Sequence, residues 1–524
     1  MKKNFTLLIS LLIAGMVYGQ KADVNQFKPE FINWYNKDLA QDAVMGASVD
    51  RLYNEVLPNL KPGKTVVVAV IDGGVDVDHV DLKGKIWVNE EEIPSNGIDD
   101  DKNGYIDDIH GWNFLGAQSG EGVHFENVEY ARIVRSKEGT DYAKAKEMYD
   151  LELAKRKKQK LNYSKFKSAW EKAKHVIKSN TGITVKDQED LAEVKSNNEN
   201  VIRAKQFLMK KFSQGVNDEM INNLLTNTNK YLNYHLNLDF NPRNLVGDDP
   251  LNFEDRNYGD NDVKGKRSDH GTSVAGVIAA HRNNDIGIDG IAENVKLMVL
   301  KSTPVGDERD KDVALAIIYA VDNGAQIINM SFSKEFSPQK EFVDKAVAYA
   351  EEKGVLLVHG AGNKGQNLDL NERFPSDIYL NGKLATNWLN VGATAMTLDK
   401  EIVGVFSNYG REHVGIFSPG VNIVSLDSTN TYRQTSGTSI AAPIVTGIAA
   451  LILSYYPELT PQELIAVLME SSYKVKKPKK VLVPNLKAEK REKGIFTDLS
   501  KSGGIVNAYN AFKYLESYSI AGKK

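Results

Sequence analysis

The residues Thr65-Val66-Val67-Val68-Ala69-Val70-Ile71 form an apolar, largely β-branched run without polar alternation. A strand of that kind is buried on both faces, which calls for a parallel sheet covered by helices on each side. The run stops at Asp72-Gly73-Gly74. That places a carboxylate at the carboxyl end of a sheet strand, where open α/β folds put their ligand sites, although an aspartate there can also serve only as a turn former.

The same pattern returns late in the chain. Segments 295–300, 326–331 and 355–359 read as strands, and 310–323 and 339–353 between them read as helices. This alternation requires right-handed crossovers between parallel strands. Segments 388–391, 403–406 and 421–426 are expected to complete the sheet. The fold class is therefore α/β, a doubly wound, mostly parallel sheet with helices on both faces and an inserted helical subdomain.

The insertion is expected at residues 115–250. Nine basic residues stand between Lys155 and Lys174 with only Glu171 opposing them, and Leu161, Phe166, Trp170 and Ile177 are spaced as one apolar stripe. The run reads as a solvated helical face, with binding to an anionic surface as the alternative. Segments 189–212 and 218–236 add helices, so a hairpin or small bundle is expected. Short helical pieces at 38–45 and 49–56 precede the first strand, and a last helix begins near Asn507.

Lys2-Lys3, an apolar run over residues 5–17 and Tyr18-Gly19-Gln20 have the form of a secretory signal peptide, with cleavage expected beside Gly19. The divisions expected are 1–19 signal peptide, 20–114 and 251–520 the two parts of the α/β domain, and 115–250 the insertion. Export without a single cysteine excludes disulfides and lipid attachment at cysteine, so stability would rest on the core or on bound ions. A net charge of -3 gives no reason to invoke nucleic acid. No stretch after the signal peptide is expected to cross a membrane, and no organic cofactor is expected.

Asp99-Asp100-Asp101-Lys102-Asn103-Gly104 is the D-x-D-x-N-G start of a calcium loop, in which alternate residues turn oxygens inward and glycine permits the sharp turn. Asp99, Asp101, Asn103, Tyr105 and Asp108 are the candidate ligands. His110 stands where such a loop carries a closing glutamate, so the loop is not a full EF-hand, and a solvated acidic turn is the alternative.

Gln434-Thr435-Ser436-Gly437-Thr438-Ser439-Ile440-Ala441-Ala442-Pro443 passes from loop into an apolar helix, with Pro443 expected in the first turn. Ser439 can be a nucleophile whose surroundings favour developing negative charge, or an ordinary helix cap. His270 begins another helix, tightly packed through small residues. Asp72, His270 and Ser439 are the residue types of a nucleophilic triad.

Val70-Ile71-Asp72-Gly73-Gly74-Val75-Asp76, His270-Gly271-Thr272-Ser273-Val274-Ala275-Gly276 and Gly437-Thr438-Ser439-Ile440-Ala441-Ala442-Pro443 together resemble the motifs of the subtilisin-like serine peptidases, or subtilases, in the same order. Ala361-Gly362-Asn363 is a fourth match. The resemblance covers roughly 60–112 and 265–515. It implies an endopeptidase that cuts protein or peptide substrates through an acyl-enzyme: Asp72, His270 and Ser439 catalytic, and Asn363 donating to the oxyanion. It also implies that Ser331-Phe332-Ser333 pairs with substrate backbone and, with Ala361-Gly362, walls the specificity pocket. Gly73 departs from the common Ser or Thr, and Ser333 from the common glycine. Residues 20–64 are too few for the usual pro-domain, so none is expected, and the inserted helices are the place to look for a folding aid or lid. A non-catalytic binding protein on the same scaffold is the rival reading. An esterase or peptide ligase using the triad is a third.

Overall fold

A computed structural model describes residues 23–117, 119–475 and 479–521. The expected signal peptide at 1–19 lies outside the described residues. Two compact units are present: Phe125–Pro242 forms one, and the chain up to His124 together with Arg243 onward forms the other.

The larger unit holds thirteen described strands: β1 (Val66–Asp72), β2 (Gly111–Asn113), β3 (Val295–Lys301), β4 (Ile327–Met330), β5 (Leu356–Gly360), β6 (Trp388–Thr394), β7 (Ile416–Pro419), β8 (Ile423–Asp427), β9 (Thr431–Thr435), β10 (Tyr473–Lys474), β11 (Lys480–Leu482), β12 (Lys493–Ile495) and β13 (Gly504–Ile505). Nine of them make one sheet in the order β10-β13-β7-β6-β5-β4-β1-β3-β2. Its pairings are parallel except that of β10 with β13.

The unalternating β1 is used on both faces. Val66, Val68 and Val70 enter one core, with helices Asp269–Ala279 and Thr438–Tyr455. Ala69 and Ile71 enter the other, with helices Asp310–Asp322 and Lys340–Glu352. Small residues permit the close approach. A methyl group at Gly276 would stand 2.4 Å from Leu426 Cγ, and one at Gly447 2.6 Å from Ile291 Cβ.

Three expectations need correction. Segment 403–406 is no strand: a turn closed by the Ser407 N–H on the Gly404 carbonyl at 2.9 Å leaves only a bridge between Val403 and Thr394. β7 occupies that place in the sheet instead. Segment 421–426 becomes β8, which pairs with β9 in a separate hairpin rather than in the sheet. Helix Thr438–Tyr455, contrary to expectation, is long and apolar enough to cross a membrane, but 89% of it is buried within the unit as a core helix.

In the smaller unit, helix Tyr142–Thr181 runs for 40 residues, about 60 Å at the usual rise. Its second half packs with helices Glu199–Phe212 and Asp218–Lys230 around Trp170, Ile177, Leu208 and Ile221. Phe166 joins that core, whereas Leu161 is 54% exposed and leaves the expected stripe. Leu115, Val123 and Val246 pack in the core of the larger unit, inside the limits that composition suggested for the insertion.

Candidate active site

β1 ends on Asp72, which is 3% exposed, and its register partner on β3 is Lys301. The Asp72 carbonyl accepts from the Ser302 and Thr303 N–H groups at 3.0 and 3.2 Å, so the main chain is fixed on that side. Its Oδ1 accepts from the Gly73 N–H at 2.7 Å. Both carboxylate oxygens face Nδ1 of His270, at 2.9 and 2.8 Å. His270 is the second residue of helix Asp269–Ala279. Gly271 lets that helix reach the strand end, because a Cβ there would lie 2.1 Å from the Gly74 carbonyl oxygen. Gly73 has a related cause: a side chain would stand 3.1 Å from the carbonyls of both Arg267 and Thr303, leaving little room for the usual hydroxyl residue.

Ser439 lies two strands away along the same edge of the sheet. A Cβ on Gly360, the last residue of β5, would stand 3.3 Å from the Ser439 nitrogen. Gly437 holds the N-cap position in an extended conformation and has no side chain with which to cap the helix. Ser439 is the second helical residue, so it is not the cap. Its backbone N–H makes no hydrogen bond among the described residues, as is usual for the first N–H groups of a helix.

Asn363 is oriented from its oxygen. Oδ1 accepts from the Thr438 N–H at 2.9 Å and from Thr438 Oγ1 at 3.2 Å. Since an N–H must meet an acceptor, this fixes the amide and leaves Nδ2 as the outward donor. A point one Cβ length from Gly437 lies 2.8 Å from Ser439 Oγ and 3.4 Å from Asn363 Nδ2. The hydroxyl and the amide donor therefore border one small space, kept open by the missing side chain of Gly437.

Pro443 is the sixth residue of this helix rather than part of its first turn. Its missing N–H would otherwise have bonded the Ser439 carbonyl. Ser331 Oγ supplies that donor at 2.8 Å, and Asn329 Nδ2 in turn donates to Ser331 Oγ at 3.0 Å. Proline thus turns a helix carbonyl into the anchor of the Ser331 segment. Ser331, Phe332 and Ser333 make no backbone-to-backbone hydrogen bond among the described residues, while Lys334 pairs with Phe374. Ser333 Oγ would lie 3.2 Å from a Cβ on Gly362, so Ser333 and Ala361-Gly362 are neighbours.

Several supporting residues escaped sequence reasoning. Asn408, fully buried, donates to the Ala361 carbonyl at 2.8 Å and accepts from the Lys364 and Gln366 N–H groups at 3.1 and 2.9 Å, clamping the loop that carries Asn363. Beneath Phe332, His359 Nε2 meets the Phe332 carbonyl and Nδ1 meets Asn390 Oδ1, each at 2.8 Å. Burial pushes the His359 pKa down, against the pull of those two acceptors. Asn390 is pinned by the Trp388 indole N–H at 2.9 Å and by the His413 carbonyl at 2.8 Å. His413 itself pairs with Asp377 at 3.2 Å. The only signal for these was a polar residue inside an apolar strand or beside a glycine turn.

In the acidic loop, Asp99 and Asp101 are joined by Glu92, which sequence reasoning missed. One oxygen from each lies within 4.8 Å of the others. Three hard oxygen donors of this kind fit a divalent cation such as calcium. The same oxygens also receive loop N–H groups, Glu92 from Asp100, Asp101 and Asp107, and Asp99 from Asn103 and Gly104. Asp108 is placed differently: it is fully buried, accepts from Tyr319, Asn103 and Asn89, and burial pushes its pKa up. The Tyr105 ring packs edge-on against Trp112, Phe114 and Tyr319.

The hydrogen bond that the His413 ring donates to the Asp377 carboxylate raises the His413 pKa above the ordinary value. The pair therefore stabilises the fold fully below about pH 6.5, and its contribution is lost as pH rises through the raised value. Urea unfolding of the wild type and His413→Gln should differ most below about pH 6.5 and converge as the pH rises above the raised value. A difference independent of pH would contradict this.

Comparison with known proteins follows the same lines. The model of the subtilase family matches residues 63–502. A thermophilic serine proteinase of Bacillus sp. (strain AK1) is 36% identical over 203 residues, covering 38% of this chain and 46% of that protein. Subtilisin-like protease 1 of Plasmodium falciparum (isolate 3D7) is 32% identical over 262 residues, covering 45% and 37% respectively. Subtilisin DY of Bacillus licheniformis is 35% identical over 198 residues, covering 37% and 66%. This chain thus spans about half the length of these curated relatives, or less, in two of the three. With the family model matched over most of its length, the chain belongs to the subtilase family.

Proposed function

We propose that this subtilase is an exported serine endopeptidase acting on proteins or peptides through an acyl-enzyme. The observation that carries the reading is the space shared by Ser439 Oγ and Asn363 Nδ2, on the same sheet edge as the Asp72–His270 pair. In this mechanism His270 takes the Ser439 proton as the hydroxyl attacks the scissile carbonyl, and later returns it to the leaving amine. Asp72 holds the Nδ1–H tautomer and stabilises the imidazolium. The oxyanion is met by Asn363 Nδ2 and the Ser439 N–H, donors already oriented before the substrate arrives. The backbone of Ser331–Ser333, which pairs with no other strand among the described residues and whose Phe332 carbonyl is met by His359, offers its remaining groups as an edge to which a substrate strand adds. Export is supported by the N-terminal Lys2-Lys3 and apolar run.

The mature protein, beginning at Gln20, should be labelled by a fluorophosphonate, and Ser439→Ala should abolish the label. Asn363→Ala should keep it while turnover falls by about 10²- to 10³-fold, a range that comes from subtilisin itself. An unlabelled wild type would instead favour a binding protein on this scaffold.

We further propose that Glu92, Asp99 and Asp101 hold a calcium ion, with the Asn103 region completing the loop. Bound calcium would stabilise the folded state by mass action. Chelator should lower the unfolding temperature of the wild type, and Glu92→Ala should remove most of that sensitivity. A fully chelator-sensitive Glu92→Ala protein would place the ion elsewhere.

A further inference from the structure

Asn329 is a polar residue inside an apolar strand, fully buried on β4 with Val70 of β1 and Val358 of β5 as its register partners. A buried amide without partners is costly, so both its groups need to be met. Nδ2 donates to Ser331 Oγ at 3.0 Å, and Oδ1 accepts from Thr446 Oγ1 at 2.9 Å. Thr446 is fully buried as well, midway along helix Thr438–Tyr455. A helical threonine commonly turns its hydroxyl back on the carbonyl four residues earlier, as Thr181 and Thr228 do on Ile177 and Leu224. Thr446 instead reaches across to the strand.

The direction of each proton in this chain is fixed from its far end. The Ser439 carbonyl can only accept, so the single proton of Ser331 Oγ goes to it. Toward Asn329, Ser331 can then only accept. Asn329 therefore presents its amide N–H to Ser331, and its oxygen is left for the Thr446 hydroxyl. The result is one line of donors, from Thr446 to Asn329 to Ser331 to the Ser439 carbonyl, in which each bond polarises the next. The last link exists because Pro443 has no N–H to give that carbonyl. The peptide that follows Ser439 is thereby gripped on both sides, its carbonyl by Ser331 at 2.8 Å and its N–H, on Ile440, by the Gly437 carbonyl at 3.2 Å.

We propose that Asn329 and Thr446 are positioning residues that hold Ser439 in its attacking orientation. They act through Ser331. The Ser439 hydroxyl and N–H both branch from the Cα beside the gripped peptide, so a swing of that peptide would carry Oγ out of the space it shares with Asn363 Nδ2. Asn329 lies level with Val70, two residues before Asp72 on the neighbouring strand. One sheet thus aims the carboxylate directly and the nucleophile through two side chains. Ser331 also begins the candidate substrate edge, so the same bond keeps that edge and the nucleophile in register.

This inference rests on the serine-peptidase reading, and its test separates the two. kcat and KM for an internally quenched peptide, and the rate constant of phosphonylation by a fluorophosphonate, are measured for the wild type, Asn329→Leu, Thr446→Val and the double variant. Making both partners apolar at similar shape limits the loss of stability in the double variant. kcat and the phosphonylation rate constant should fall together, by about 10- to 100-fold in Asn329→Leu and the double variant and by less in Thr446→Val, while KM stays nearly unchanged. A rise of KM with phosphonylation unchanged would make the relay a support of the substrate edge alone. A smaller labelled amount at an unchanged rate constant would mean partial unfolding, and no change at all would leave the relay idle. Each of these three results would overturn the proposal. If Asn329→Leu fails to fold, Thr446→Val, which loses one hydroxyl at constant shape, still decides among them. A crystal structure of the double variant should show Ser331 Oγ beyond hydrogen-bond distance of the Ser439 carbonyl, and an unmoved contact would contradict the proposal. That measurement needs no turnover, so a wild type that takes no label would sink the peptidase reading while the relay was still tested.

Discussion

The Asp72–His270 hydrogen bonds depend on a strand with no solvent face. β1 is covered on both sides, so its carboxyl end cannot shift without disturbing two cores at once. A carboxylate at that end is consequently aimed by the whole sheet rather than by a loop. The histidine is brought to it by a helix whose second residue it is, and Gly271 and Gly73 make the approach possible by leaving no side chain between helix, strand end and crossing loop. The tight contacts are with backbone carbonyls, which cannot swing aside as a flexible side chain could.

The serine half of the site follows a different physical logic. Its helix begins at a glycine with no capping side chain, and although Asn363 takes the Thr438 N–H, the Ser439 N–H is left without a partner among the described residues, where an anion would be favoured. Pro443 removes one N–H further along and thereby frees the Ser439 carbonyl, which Ser331 then uses as an anchor. A helix defect, as proline in a helix would ordinarily be judged, here ties the candidate substrate strand to the nucleophile. Asn363 is fixed by Thr438 on one side and by the Asn408 clamp on its loop on the other. The β8–β9 hairpin, which leads into the Gly437 turn, is tied to the histidine helix by Ser273 on the Leu426 carbonyl and Ser425 on the Ser273 carbonyl.

Much of this was legible before any coordinates. The unalternating strand and the later strand–helix rhythm specify a parallel sheet, because no other arrangement buries such segments. Asp72 and His270 could be paired only because the motifs around them resemble a known family; nothing in their spacing of 198 residues says that they meet. The misses have physical causes. β7 is short, and segment 403–406 is equally apolar but turns on itself, so pattern alone could not choose between them. Glu92 lies outside the motif that suggested calcium and reaches it only through folding. Asn408, Asn390 and His359 are polar groups within apolar surroundings, whose value lies in the backbone groups they satisfy, and those partners are remote in sequence. Asp108 read as a ligand because it continues an acidic run, yet burial and Tyr319 claim it.

The central claim is that Ser439 Oγ and the Asn363 amide face one reaction space. A crystal structure of the protein with a peptidyl boronate, which takes the tetrahedral form of the intermediate, tests it most directly. The account predicts a bond from boron to Ser439 Oγ, with one boronate oxygen held between Asn363 Nδ2 and the Ser439 N–H. An inhibitor bound with Ser439 unmodified, or with both boronate oxygens turned away from Asn363, would contradict it.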